Sequence, residues 1–202
     1  MENQLAALAK EAAGCTRCPL YLNATQTVFG EGPPTAALMM VGEQPGDRED
    51  LAGRPFVGPA GLVLDRALAE IGLERGSVYV TNAVKHFKNE PRGKRRLHKG
   101  PTRGEIETCR WWLDRELAAV PASFVVALGA TAAFALMGRT VTLSRERGRL
   151  LRWSGGRAGL ATIHPSAVLR APDEDGRRQA FEGLANDLRE ALRLAGTKAA
   201  GL

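Results

Sequence analysis

Residues 41–61, VGEQPGDREDLAGRPFVGPAG, constrain the fold more than any other stretch of the chain. The apolar run before them, 36–41, is too short for a helix. The pattern after them, 61–73, puts Leu64, Leu68 and Ile71 on one helical face. The spacing therefore predicts a strand, a long loop at its carboxyl end, and a helix. In open α/β sheets ligands bind in the crevice outside those strand ends. This loop brings Glu43, Gln44, Asp47 and Asp50 there among five glycines and three prolines. Glycine and proline impose an unusual backbone path, so the carboxylates are held in place and the backbone can approach a ligand closely. The interleaved Leu51, Phe56 and Val57 set the stretch apart from a disordered acidic turn, and ordered loops of this length are usually functional.

The remainder of the chain alternates in the same way. Strands are expected over 36–41, 78–84, 124–128 and 160–163. Helices are expected over 3–13, 61–73, from a capping box at Thr102 and Glu105 to Val120, over 130–138, and over 173–195. Residues 140–153, with their alternation and Gly148, read as a hairpin at the sheet margin. The expected fold is a three-layer α/β/α sandwich around a mostly parallel four-stranded sheet. The 202 residues, 44% hydrophobic, can bury one substantial core, which predicts a single domain over 1–195 with a flexible tail over 196–202. No apolar segment approaches the roughly 18 residues of a membrane span, and no signal-peptide pattern opens the chain. A cytoplasmic monomer without membrane contact is expected.

Net charge is +6, which suits a polyanionic partner, and its distribution says more than its total. Residues 85–101 are rich in Lys and Arg, among them Lys94, Arg95 and Arg96. They follow a strand end beside the predicted crevice, where contact with nucleic acid is expected. Three cysteines are too few for a disulfide framework. Cys15 and Cys18, three positions apart in a turn closed by Pro19, can chelate one metal centre. Zinc, an iron–sulfur cluster, a redox dithiol and chance spacing all remain open on this spacing alone. Cys109 and His86 can supply further ligands. Trp111 and Trp112 read as packing residues.

The predicted topology puts Glu43, Asn82, His98 and His164 on strand ends or adjoining loops at one edge of the sheet. A carboxylate, two imidazoles and a carboxamide can supply a base, a nucleophile or electrophile, and a hydrogen-bond reader for an amide-like ring.

The run GEQPGDREDLAGRPFVGPAG, the segment TNAVKH ending at His86, the later HPS of His164 to Ser166, and the CxxC together resemble the iron–sulfur uracil-DNA glycosylases. Family-four members usually carry GEAPG and a cysteine where His86 stands. Gln44, His86 and the basic GKRRLH loop ending at His98 depart from that pattern together, and in this the chain resembles the X-type members, UdgX. The resemblance spans the chain from Cys15 to the last helix. It implies a [4Fe–4S] cluster held by Cys15, Cys18, His86 and Cys109, and uracil-containing DNA, single- or double-stranded, as substrate.

The implied chemistry is cleavage of the bond between uracil N1 and deoxyribose C1′, which develops positive charge on the sugar and negative charge on the base. The base must first leave the stack. On this resemblance Phe56 would stack on the flipped uracil, Asn82 would read its Watson–Crick edge, and His164 would donate toward O2, assisted by backbone amides from Gly42 to Gly46. His98 would attach covalently to C1′, with Glu43 accepting its proton or orienting it and Gln44 holding the loop or displacing water. Asp47 and Asp50 would anchor the loop near Arg95 or Arg96, and Ser166 and Arg170 would contact the DNA backbone. A conventional glycosylase with turnover, a non-catalytic nucleic-acid-binding module and a zinc protein using the same ligands are the competing readings.

Overall fold

The computed structural model describes residues 2–93 and 95–196. The first helix, α1 (Glu2–Ala12), leads into the CxxC turn, and a single 3-10 turn at Pro19–Leu22 follows. Strand β1 (Leu38–Gly42) comes next, then the short helix α2 (Asp47–Ala52), then α3 (Pro59–Glu70) and β2 (Tyr79–Asn82). A hairpin of β3 (Asn89–Arg92) and β4 (Arg95–His98) precedes α4 (Arg103–Ala119). The second half runs β5 (Phe124–Leu128), α5 (Ala130–Met137), α6 (Leu143–Glu146), β6 (Leu151–Arg152), β7 (Ala158–Thr162), α7 (Ser166–Leu169) and α8 (Glu174–Ala195).

Four parallel strands, ordered β2-β1-β5-β7, form the expected sheet, and β6 adds a short antiparallel fifth at the margin. Side chains alternate across it. Met39, Val41, Tyr79, Val125 and Ala127 enter the core under α1, α4 and α5, while Leu38, Met40, Val80, Phe124 and Val126 enter the core under α3, α7 and α8. Both faces of β1 and β5 are therefore buried, which is why these strands read as unbroken apolar runs. From β1 the chain moves to β2 on one side and then returns to β5 on the other. The strand order thus reverses beside β1, and the crevice at that switch lies outside the carboxyl ends of β1 and β5.

Several expectations need correction. The stretch 41–61 is not loop throughout, because α2 occupies its middle. Three acidic residues in the first turn of α2 complement the helix dipole, and Gly53, at φ 70°, ends it in a left-handed cap. Helix α3 begins before residue 61 because Pro59 is suited to the first helical position. Residues 140–153 hold α6 and then β6, whose hairpin partner is β7, so the alternation there is not a self-contained hairpin. The basic segment contains a two-stranded hairpin instead, with Gly93 turning at φ 59°. Lys94 lies outside the described residues, as does the expected tail apart from Gly196, which caps α8. No helix among the described residues is long and apolar enough to cross a membrane.

Candidate active site

A cavity of about 700 Å³ opens at the carboxyl ends of the parallel strands, lined by Glu43, Gln44, Asp47, Phe56, Asn82, His98, His164, Ser166 and Arg170 among others. Glu43 and Gln44 follow β1 directly, Asn82 ends β2, and His164 lies just past β7. His98 reaches the same cavity from the far end of β4. Of the other residues singled out in the sequence, Gly42 sits behind the cavity wall, while Arg95 and Arg96 do not line it.

Gly42 matters through what it lacks. A β-carbon there would collide with Asn82 Oδ1 and the Phe56 ring, so the glycine allows both to close on the strand end. Phe56 is the only described non-glycine residue with positive φ, at 55°. Its carbonyl packs so tightly on Gly61 that a β-carbon at Gly61 would overlap it. A left-handed phenylalanine is strained, and such strain persists only where the surroundings enforce it. Here it sets the ring roughly parallel to His164, with centroids 6.0 Å apart and 28° between planes. Asn82 is fixed from behind by Lys85, whose Nζ donates to the Asn82 carbonyl at 2.6 Å and to Thr81 Oγ1 at 2.7 Å. Lys85 is fully buried and pairs with Glu116, which also accepts from Tyr79 and Gly30. It therefore belongs to the core and not to a surface patch for DNA.

The two imidazoles differ in environment. Ser166 donates its backbone N–H to His164 Nδ1 at 3.2 Å, so the proton of the neutral ring is on Nε2. Burial, then the charges of Arg170 and His98, push the His164 pKa down to about 4, and the ring is neutral near pH 7. Ser166 Oγ lies 2.7 Å from the same Nδ1 and accepts from Arg170 at 2.7 Å, so Ser166 and Arg170 brace this histidine. His98 is half exposed. Its Nε2 stands 2.9 Å from Gln44 Nε2 and 3.8 Å from Glu43 Oε1.

The hairpin carrying His98 is tied to the acidic helix. Arg96 donates to Asp47 Oδ1 at 2.7 Å and to Asp50 Oδ2 at 2.5 Å, and its guanidinium lies over the Phe87 ring at 5.3 Å. Asp50 has no exposed surface and also accepts the Thr25 backbone N–H at 3.0 Å. Glu49 stiffens the base of the pocket by accepting the Gly46 and Gly58 backbone N–H groups. Arg95 is exposed.

Sequence reasoning missed Thr131. Its hydroxyl donates to Glu43 Oε2 at 2.5 Å, which fixes one carboxylate oxygen and leaves the other toward His98. Chain order puts Gly129-Ala130-Thr131 at the same sheet edge as Glu43, because β5 runs parallel to β1, but nothing local marks the threonine itself.

Cys15, Cys18 and Cys109 lie close enough to feel one another's charge, and His86 Nε2 stands 3.0 Å from Thr27 Oγ1. Trp112 Nε1–H donates to Cys15 Sγ at 3.1 Å, and the Lys85 backbone N–H donates to Cys109 Sγ at 3.2 Å. Burial pushes the Cys109 thiol up to about 11 and raises Cys18, and it lowers the pKa of His86. The neighbouring charge of Cys15 raises Cys18 further, and those of Cys18 and Cys15 raise Cys109. Such thiols ionise only against a strong cation, and N–H donors aimed at sulfur are characteristic surroundings of iron–sulfur ligands. Among the described residues no three His, Cys, Asp or Glu side chains close around a single ion position. A four-iron cluster asks less of the side chains, since each ligand takes a different iron. The donor set fits such a cluster. Trp112 is buried as expected, whereas Trp111 is 38% exposed, with the guanidiniums of Arg17 and Arg115 4.5 and 4.4 Å from its ring centroid.

Residues 29–189 match the family model for the uracil DNA glycosylase superfamily. A type-4 uracil-DNA glycosylase of Thermotoga maritima is 40% identical over 171 residues, 84% of this chain and 85% of that protein. One from Archaeoglobus fulgidus is 36% identical over 198 residues, 95% and 93% of the two chains. A type-5 uracil-DNA glycosylase of Pyrobaculum aerophilum is 31% identical over 219 residues, 90% and 89% respectively.

Proposed function

The chain belongs to the uracil-DNA glycosylase superfamily, and from that premise we propose that it removes uracil from DNA and retains the abasic deoxyribose on His98. The relatives support the first half, each named for uracil-DNA glycosylase activity. The second half is carried by one observation: His98 is held at the mouth of the cavity by Gln44, on a hairpin clamped through Arg96 to Asp47 and Asp50.

In this reading the flipped uracil lies against Phe56, with Asn82 opposite its amide edge. His164 Nε2–H donates toward O2, and being neutral it does so without leaving a buried cation behind once the base has gone. As the C1′–N1 bond lengthens, its electron pair moves onto the base, and Glu43 answers the positive charge left on the sugar. His98 then bonds C1′, and the C–N bond formed has no easy hydrolytic exit. The protein would act once per lesion, as a monomer and as a single domain over residues 1–195. Arg95, with Lys94, would meet the phosphate backbone.

Cys15, Cys18, His86 and Cys109 would hold a [4Fe–4S] cluster. Bound there, it would cross-link the CxxC turn, the segment after β2 and α4.

Incubation with uracil- and thymine-containing oligonucleotides, followed by denaturing electrophoresis, tests the reading. A shifted protein–DNA band is expected with uracil alone, and His98→Ser should abolish it. Free uracil without a shifted band would instead establish excision with release of the abasic site. Neither product would leave a binding module.

A further inference from the structure

The orientation of the Gln44 amide determines where His98 carries its proton. Gln44 Oε1 accepts the Lys88 backbone N–H at 3.2 Å, and Gln44 Nε2 donates to the Lys99 carbonyl oxygen at 2.8 Å. A backbone N–H only donates and a carbonyl oxygen only accepts, so the amide cannot be turned over without losing both bonds. The group that meets His98 Nε2 at 2.9 Å is therefore the amide NH2. An amide nitrogen has no lone pair to offer, so the imidazole nitrogen facing it must be the acceptor and must be bare. A neutral ring with a bare Nε2 carries its proton on Nδ1.

We infer that Gln44 fixes His98 in the Nδ1–H tautomer, so that the Nε2 lone pair faces the cavity before DNA arrives and Glu43 acts on the ring by charge alone. The distances agree. Glu43 Oε1 lies 3.8 Å from Nε2, beyond hydrogen-bond reach, and no proton stands between them. This inference rests on the covalent reading above and specifies its step. The Nε2 lone pair forms the bond to C1′, displacing the amide N–H, which keeps its bond to Lys99. The electron pair of the C1′–N1 bond leaves with uracil, which takes a proton from water. The ring becomes an imidazolium still bearing Nδ1–H, paired with the Glu43 carboxylate, and later releases that proton to water from its exposed side. Had Nε2 carried the proton, it would have to be removed before or during bond formation.

The test is a long-range proton–nitrogen correlation spectrum of the imidazoles in the DNA-free, cluster-loaded protein, at pH about 8, above the ordinary histidine range. His98→Ser identifies the His98 signals by their disappearance. The expected result is a pyridine-type Nε2 and a pyrrole-type Nδ1 in His98. Gln44→Ala should convert this to a mixture of both tautomers and slow adduct formation about tenfold. A pyrrole-type Nε2 in the unaltered protein would overturn the inference, and that measurement needs no variant to fold. It also needs no DNA: a bare Nε2 without any crosslink would refute the covalent reading while the tautomer stands, and a crosslink with a protonated Nε2 would do the reverse.

Discussion

Thr131 donates its hydroxyl to Oε2 of Glu43 at 2.5 Å, joining the start of α5 to the end of β1 at the point where the strand order of the sheet reverses. The bond spends one carboxylate oxygen on the scaffold and directs the other to His98. Thr131→Val keeps the shape and removes the donor. A hydrogen bond to a charged group contributes about 1.5–3 kcal/mol, so the bond-breaking step should slow roughly tenfold or more while affinity for uracil-containing DNA holds. Thr131→Ser should restore the rate. Single-turnover kinetics alongside a binding titration separates the two effects, and equal loss of both would assign Thr131 a purely architectural role.

The sheet was legible because its strands are buried on both faces, so that 36–41 and 124–128 show as unbroken apolar runs. The convergence of Glu43, Asn82 and His164 followed from chain order alone. Thr131 was not legible, because a threonine after a Gly-Ala turn has no local signature and its partner is 88 residues away. Nor was the hairpin, since pairing of Asn89–Arg92 with Arg95–His98 depends on a left-handed Gly93 and on Arg96 finding Asp47 and Asp50. Lys85 misled for a related reason: in sequence it belongs to a basic run, and only the buried Glu116 opposite shows that it is a core residue.

Arg96 should be worth more than its neighbour Arg95. Arg96→Ala leaves Asp50 a buried carboxylate with only Thr25 to satisfy it, and frees the hairpin from α2. Partial exposure of the guanidinium moderates the penalty, so a loss of about 1–3 kcal/mol is expected by denaturant unfolding. Crosslinking should fall further than stability explains, because His98 is no longer held at the cavity. Arg95→Ala should instead weaken DNA binding and lessen its salt dependence, with little change in unfolding.

Acid should weaken the fold through His164. Its folded-state pKa of about 4 lies below the ordinary 6.5, so between those values the unfolded chain binds the proton that the folded chain refuses. Stability therefore rises with pH across that window and falls as pH drops from 6.5 toward 4, by at most about 3 kcal/mol and less to the extent that solvent reaches the ring. His164→Gln should flatten this part of the stability profile. A profile unchanged by the substitution would mean that the ring titrates normally in the folded protein.

The cluster reading is checked by composition before activity. The purified protein should be brown, with about four irons and four sulfides per chain, as a cubane requires. Cys109→Ser should lose that colour and iron, and unfold at lower temperature, because the segments it joins include the CxxC turn and the residues after β2. A colourless protein carrying one zinc ion, equally lost in Cys109→Ser, would replace the cluster with a single-metal site.

Gly42→Ala tests whether the cavity's narrow floor selects the base. The added methyl would meet Asn82 Oδ1 and the Phe56 ring, and neither retreats easily: Lys85 holds the Asn82 backbone, and Phe56 is locked in its left-handed conformation against Gly61. Overpacking of this kind costs about 1–3 kcal/mol, and here it falls on the two groups assigned to reading and stacking uracil. Excision of uracil should drop by about two orders of magnitude, while affinity for DNA lacking uracil, which does not need the cavity, should be unchanged. Comparable weakening toward both DNAs would show instead that the methyl disturbs the sheet edge as a whole.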